Sequence, residues 1–200
     1  MSDEEKDEGI LPDSIRRVLF PSTIIGRIGR DIGVVVALGL LVGLILFSIA
    51  GTWPPIVSVL SGSMEPNINE GELVFITSPE KTSSPEAHGA TGVVPLQEAD
   101  QFRSFGMKGH VVVYYPDGKR METPIIHRAH IWVNEGENWY DDANKNYVGE
   151  AQNCEQLPNC PAPNKGFITK GDANGQYDQV AGFSRPVKPG WIKGVAKEVL

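Results

Sequence analysis

A chain of 200 residues with a formal charge of −7 supports one ordinary domain plus an appendage. It lacks the basic surplus that neutralising phosphates requires, so nucleic acid is excluded as a partner. Its 15 prolines and 22 glycines, with little helical periodicity after residue 52, favour a strand-and-turn domain.

Residues 1–13, "MSDEEKDEGILPD", form an acidic tail that composition marks as disordered. Residues 14–31 are basic and partly apolar and suit the headgroup layer of a membrane. Ile32–Gly51, "IGVVVALGLLVGLILFSIAG", carries no charge over twenty residues. At a rise of ~1.5 Å per residue it spans about 30 Å, the thickness of a hydrocarbon core. A cleaved signal peptide is the alternative. The apolar run exceeds an h-region, starts about thirty residues in and is followed by no A-x-A site, so a retained transmembrane helix is expected. Arg16, Arg17, Arg27 and Arg30 precede the span, and the first cation after it is Lys81. The positive-inside rule then puts the N-terminus in the cytoplasm and residues 52–200 outside.

Beyond the span, "SVLSGSMEPNINEGELVFI" (58–76) crowds three serines into six positions and ends in a strand candidate, Glu72–Ile76. Residues 77–108 read as a polar insertion. "HVVVYYPDGKRMETPIIHRAHIWV" (110–133) predicts two strands around a "PDG" turn. Residues 134–165 form a second polar, turn-rich insertion that holds Cys154 and Cys160. In an extracytoplasmic setting the two cysteines suit a short-loop disulfide, with free thiols as the alternative. No second Cys/His pair stands at zinc spacing, so no metal is expected. "GFITKGDANGQYD" (166–178) predicts a short strand and a turn. The expected fold class is a mostly β domain behind one N-terminal transmembrane helix.

Metalloprotease, P-loop and dinucleotide-binding signatures are absent, and no cofactor is expected. "SGSME" lacks the second glycine of the G-x-S-x-G elbow. A serine nucleophile needs a base, a group to orient that base, and donors for the oxyanion. Four histidines stand beyond the span. His88 lies in a loop and His110 opens a strand. His127 and His130 share one strand at an odd offset and should face opposite sides. His127 would lie with Ile125, Ala129 and Ile131, and His130 with Ile126, Arg128 and Trp132. Periodicity leaves open which face carries a site.

"SGSMEP" after a membrane span, then "IIHR", then "ITKGDANGQYD", in this order, resembles type I signal peptidase. The histidine in place of a lysine is similar to the archaeal and endoplasmic-reticulum branch. The acidic composition and long polar insertion resemble halophilic archaeal members. The resemblance implies a signal-peptidase-like β catalytic domain and a serine endopeptidase that removes N-terminal signal peptides from secreted preproteins, cutting after small residues. It implies Ser63 as nucleophile, Ser61 as an oxyanion donor beside the Ser63 N–H, and His127 as general base. Asp178 matches the carboxylate expected to support His127, and Asp172 a second acidic position that orients the site or holds the loop. Implied partners are preprotein signal peptides, the lipid bilayer and the protein-export channel. The family block G-D-N-N reads "GDAN" here, so Ala173 departs. Where many relatives have "GD" before the hairpin strand, this chain has Gly109–His110. Some relatives carry a second, C-terminal span; this sequence ends "GWIKGVAKEVL", so either one span or a chain cut short is expected.

Two other readings use the same residues. One is a non-catalytic membrane-anchored β module that binds a partner. The other is a Ser-Lys protease of the same broad fold, with Lys108 or Lys119 as base.

Overall fold

The computed structural model of the chain describes residues 14–15, 24–82 and 84–200. The acidic tail over 1–13, and Arg16 and Arg17 of the basic segment, lie outside them. Helix α1 covers Ile24–Ala50, longer than the expected 32–51 at its start and one residue shorter at its end. Its stretch Gly26–Ala50 has a mean hydropathy of 2.9 and is long and apolar enough to cross a membrane. That is compatible with a single-pass anchor or a signal sequence. Most of its described leucines, isoleucines and valines stand exposed along the helix. Gly51 ends it with φ +70°, the left-handed conformation that glycine takes without penalty.

The chain divides into two compact units, one up to Leu46 and one from Phe47 to Leu200. The second is mostly β sheet. Strands β1 (Ile56–Ser58), β2 (Leu73–Thr77), β5 (Val111–Tyr114), β6 (Ile125–Val133), β7 (Gly166–Lys170) and β8 (Ile192–Val199) form a six-stranded sheet in the order β1-β2-β8-β5-β6-β7. All its pairings are antiparallel. A small second sheet joins β3 (Arg103–Ser104) to β4 (Met107–Lys108). One helical turn, α2 (Asp178–Ala181), follows β7.

The core lies on both faces of the sheet, because every residue of β5 is buried. Val111 and Val113 meet Met64, Ile68, Val74 and Ile76 on one side. Val112 and Tyr114 meet Ala129, Phe167, Val187 and Val195 on the other. Alternate residues of one strand thus seed two apolar layers.

Several expectations need correction. The strand read at Glu72–Ile76 is Leu73–Thr77. β5 and β6 do pair, with Val112 opposite His127, but the connection runs from Tyr115 to Pro124 and "PDG" is a 3-10 turn within it. The segment 77–108 is not all loop, since it carries β3 and β4. The 134–165 segment is no loose insertion. Trp139, Ala143, Val148, Leu157 and Ala162 are buried in one cluster with Ile131, Ile168 and Tyr177. Cys154 and Cys160 are disulfide-bonded within it.

A bulge on β6 changes the face assignment. Ala129 pairs with Thr169, but Ile131 pairs with Ile168, so His130 is the extra residue and the alternation resets after it. Ile131 consequently leaves the side of His127 and joins the Trp139 cluster. Trp132 crosses the other way and packs against the Ala129 and Phe167 layer.

Candidate active site

Ser63 sits in a 3-10 turn, Gly62–Met64, between β1 and β2. Met64 anchors the turn: its side chain is fully buried among Val59, Ile68 and Val74, and its carbonyl accepts the N–H groups of Asn67 and Ile68. The turn closes by the Glu65 N–H on the Gly62 carbonyl. The N–H groups at its start therefore have no partner within it, as at any helical N-terminus. Ser61 Oγ donates to Ser63 Oγ at 3.3 Å. A Cβ at Gly62 would meet the far end of the flexible Glu65 side chain, its carboxylate at 2.9 Å.

His127 comes from β6 and is buried, with 4% of its surface exposed. Its Nε2 lies 3.0 Å from Ser63 Oγ. Its Nδ1 lies 2.8 Å from both carboxylate oxygens of Asp178. An ionised carboxylate only accepts, so Nδ1 carries the proton and Nε2 presents its lone pair to the serine hydroxyl. Asp178 is completely buried and opens α2. Besides His127 it accepts hydrogen bonds from Thr169 Oγ1 at 2.6 Å and Tyr114 OH at 2.8 Å. Burial, together with the charge of Asp178, raises the Tyr114 phenol well above its ordinary pKa, which keeps its proton available for donation.

Asp172 has different partners. Arg128 grips it with Nε on Oδ1 at 2.8 Å and Nη2 on Oδ2 at 2.6 Å. Asn67 Nδ2 adds a bond at 2.8 Å. Arg128 Nη1 continues to the carbonyls of Ser104 and Gly109. This buried pair ties the 171–174 loop to β6 and to the small sheet, and it bonds neither His127 nor Ser63. The loop in turn reaches the serine through its backbone, with the Ala173 N–H donating to the Ser63 carbonyl at 2.9 Å. Asp172→Asn would leave a buried guanidinium short of its counter-charge and should destabilise the folded unit by about 3–5 kcal/mol. Chemical denaturation of the full chain in detergent measures it.

Two supports of this loop escaped the sequence reading. Lys170 is buried, and its ammonium donates to the carbonyls of Gly171, Asp172 and Asn174 at 2.7, 3.3 and 2.8 Å. Burial lowers its pKa. Gly171 leaves room for the site: a Cβ there would stand 2.6 Å from the Ser63 carbonyl and 2.8 Å from His127 Nε2. A Gly171→Ala change must push the serine and the imidazole apart. Misplacement on that scale would cost a serine nucleophile roughly 10²-fold in rate; the rate of labelling by a serine-directed fluorophosphonate against wild type provides the check.

The other histidines are engaged elsewhere. His88 pairs with Glu98 at 2.8 Å and stacks on Trp132. His110 Nδ1 accepts the Val94 N–H, and burial lowers its pKa to about 3. His130 packs edge-on against Tyr147 and Tyr177, with its pKa lowered to about 4, again by burial. Of the two lysines considered as bases, Lys119 bonds Glu122 at 3.0 Å and Lys108 pairs with Arg103 across the small sheet. Neither bonds Ser63.

Ser63 and His127 open into a cleft of about 430 Å³ between β1 and the 123–127 stretch. Both walls have free strand edges among the described residues. β1 is the terminal strand of its sheet. β7 pairs with β6 only from Arg128 onward, leaving the second edge of Ile125–His127 open.

No model of a known protein family matches the sequence.

Proposed function

We propose that the chain is a membrane-anchored serine endopeptidase of the signal-peptidase type, which removes N-terminal signal peptides from exported preproteins. The observation that carries this reading is the continuous hydrogen-bonded line Ser63–His127–Asp178, opening into a cleft with two unpaired strand edges. A peptide laid along such an edge adds as a strand, with its main chain held by hydrogen bonds and alternate side chains directed at the cleft. The small-residue cleavage region of a signal peptide follows directly on its apolar core. Ser63 follows Gly51 by twelve residues, at most ~40 Å of extended chain, so an anchored chain works close to the bilayer surface. Arg27 and Arg30 precede the apolar run and favour a cytoplasmic N-terminus with the β unit outside.

The reaction uses groups already in place. Ser63 Oγ attacks the scissile carbonyl carbon as its proton passes to His127 Nε2. Asp178 stabilises the imidazolium that forms. The Ser63 N–H and Ser61 Oγ receive the oxyanion. Collapse breaks the C–N bond, and the leaving amine takes the proton from His127. Water, deprotonated by His127, then releases the acyl group and restores the serine.

Preprotein cleavage in membranes carrying wild type or the Ser63→Ala chain tests the reading. Processing should require the hydroxyl, and equal processing by both would sink it. A non-catalytic binding module would show no cleavage with either chain. A Ser-Lys enzyme would survive His127→Ala and fail on loss of a lysine.

A further inference from the structure

The cleft that holds Ser63 and His127 is otherwise apolar or neutral, with one exception. Lys193 of β8 lines it. A bulge exposes this residue to the cleft: Val113 pairs with Gly194 and Tyr114 with Ile192, leaving Lys193 opposite no partner. Thr52 Oγ1 holds its backbone by donating to the Lys193 carbonyl at 2.9 Å. The side chain is partly buried, and burial lowers its pKa. Yet no carboxylate pairs with it among the described residues. Lys170 and Lys197 also have no acidic partner, and what sets Lys193 apart is its place in the cleft beside Ser63 and His127. A partly buried ammonium in a largely apolar cleft gives up part of its hydration without a counter-ion to offset it. A carboxylate arriving with a bound peptide would supply the missing partner.

The sheet register fixes where that carboxylate must lie. Tyr114 pairs with Ile125 on one side and Ile192 on the other, so Lys193 stands beside the row that contains Ile125, two residues from His127. Strand spacing and rise put the two backbones on the order of 10 Å apart, about three residues of an extended peptide.

We infer that Lys193 is a specificity-determining residue that selects peptides carrying an aspartate or glutamate within about four residues of the scissile bond. The inference rests on the peptidase reading and names one substrate feature of that same cleft.

Binding separates the two. The full-length Ser63→Ala chain in neutral detergent is titrated with fluorescent peptides spanning a signal-peptide cleavage region. A single glutamate is moved through positions on both sides of the cut, with glutamine at the same position as control. At one or two adjacent positions glutamate should bind about three- to fivefold tighter than glutamine, the range of a partly solvated ion pair, and added salt should shrink the difference. Lys193→Arg should keep the preference, Lys193→Met should bring the ratio to about one, and Lys193→Glu should invert it. Matched thermal unfolding of the variants excludes a folding artefact. A glutamate-to-glutamine ratio of one at all positions, or a preference that survives in Lys193→Met, overturns the inference while leaving the peptidase reading intact. So does a Lys193→Met loss confined to binding of phosphatidylglycerol vesicles, which would assign the ammonium to lipid headgroups. Failure of all the peptides to bind overturns both.

Discussion

Preprotein processing by the Ser63→Ala chain is expected to fall by about 10⁴–10⁶-fold, the loss seen when a hydrolase of this chemistry forfeits its nucleophile. His127→Ala should cost a similar amount. The double variant should be no worse than either single one. Once the hydroxyl is gone, the imidazole has no proton to take, so the two side chains act as a unit. The residual rate belongs to peptide binding and to the oxyanion donors, which neither change touches. Cleavage of a labelled preprotein by the three variants in detergent, followed to completion, reads the pattern. Additive losses would mean that Ser63 and His127, 3.0 Å apart, work on separate steps.

Asp178→Asn should lower kcat by roughly 10³–10⁴-fold with KM little changed. Proton placement is the cause. The carboxylate accepts from His127 Nδ1 at 2.8 Å, which fixes the proton there. An amide can offer Nδ1 an N–H instead, and the imidazole proton then moves to Nε2 and faces the serine. The base is lost although no atom has moved. Thr169 and Tyr114 still donate to position 178 through its remaining oxygen, so the folded unit should survive. Asp178→Ala differs: it strands the Thr169 and Tyr114 hydroxyls in a buried place, at about 1–3 kcal/mol for each unsatisfied group. Steady-state kinetics beside thermal unfolding separate the two variants. An Asp178→Asn chain with near-normal kcat would remove Asp178 from the proposed mechanism.

The two aspartates show how far residue order alone reaches. Both lie in one thirteen-residue stretch, and nothing in "GDANGQYD" ranks them. The pleat of β6 does. His127 and Arg128 are consecutive, so they point to opposite faces, and each face receives one aspartate: Asp178 at His127 and Asp172 at Arg128. Ser63, His127 and the β5–β6 pairing were legible because short local blocks carry them. β8 was not. Its apolar residues, Ile192, Val195, Ala196 and Val199, fall at the spacing of a helix face. Register shifts opposite Val113/Tyr114 and Phe75/Ile76 account for this, since each extra residue breaks the two-residue alternation of a strand. The bulge at His130 misdirected the placement of Ile131 and Trp132 for the same reason. The 134–165 segment looked peripheral because its apolar residues are isolated in sequence, and only the long-range approach of Ile131, Ile168 and Tyr177 gathers them.

The position of β8 has a bearing on how the chain comes to life. The eighth strand in chain order is the third in the sheet, lying between β2 and β5. Ser63 follows β1 and precedes β2, on one side of it, and His127 belongs to β6, on the other. Until residues 192–199 have been synthesised and delivered, the sheet is two unjoined pieces, with nucleophile and base on different ones. Long-range insertion of this kind is slow to form and comes late. On the proposed peptidase reading, a chain still lacking β8 holds Ser63 and His127 on separate pieces of sheet and cannot yet act.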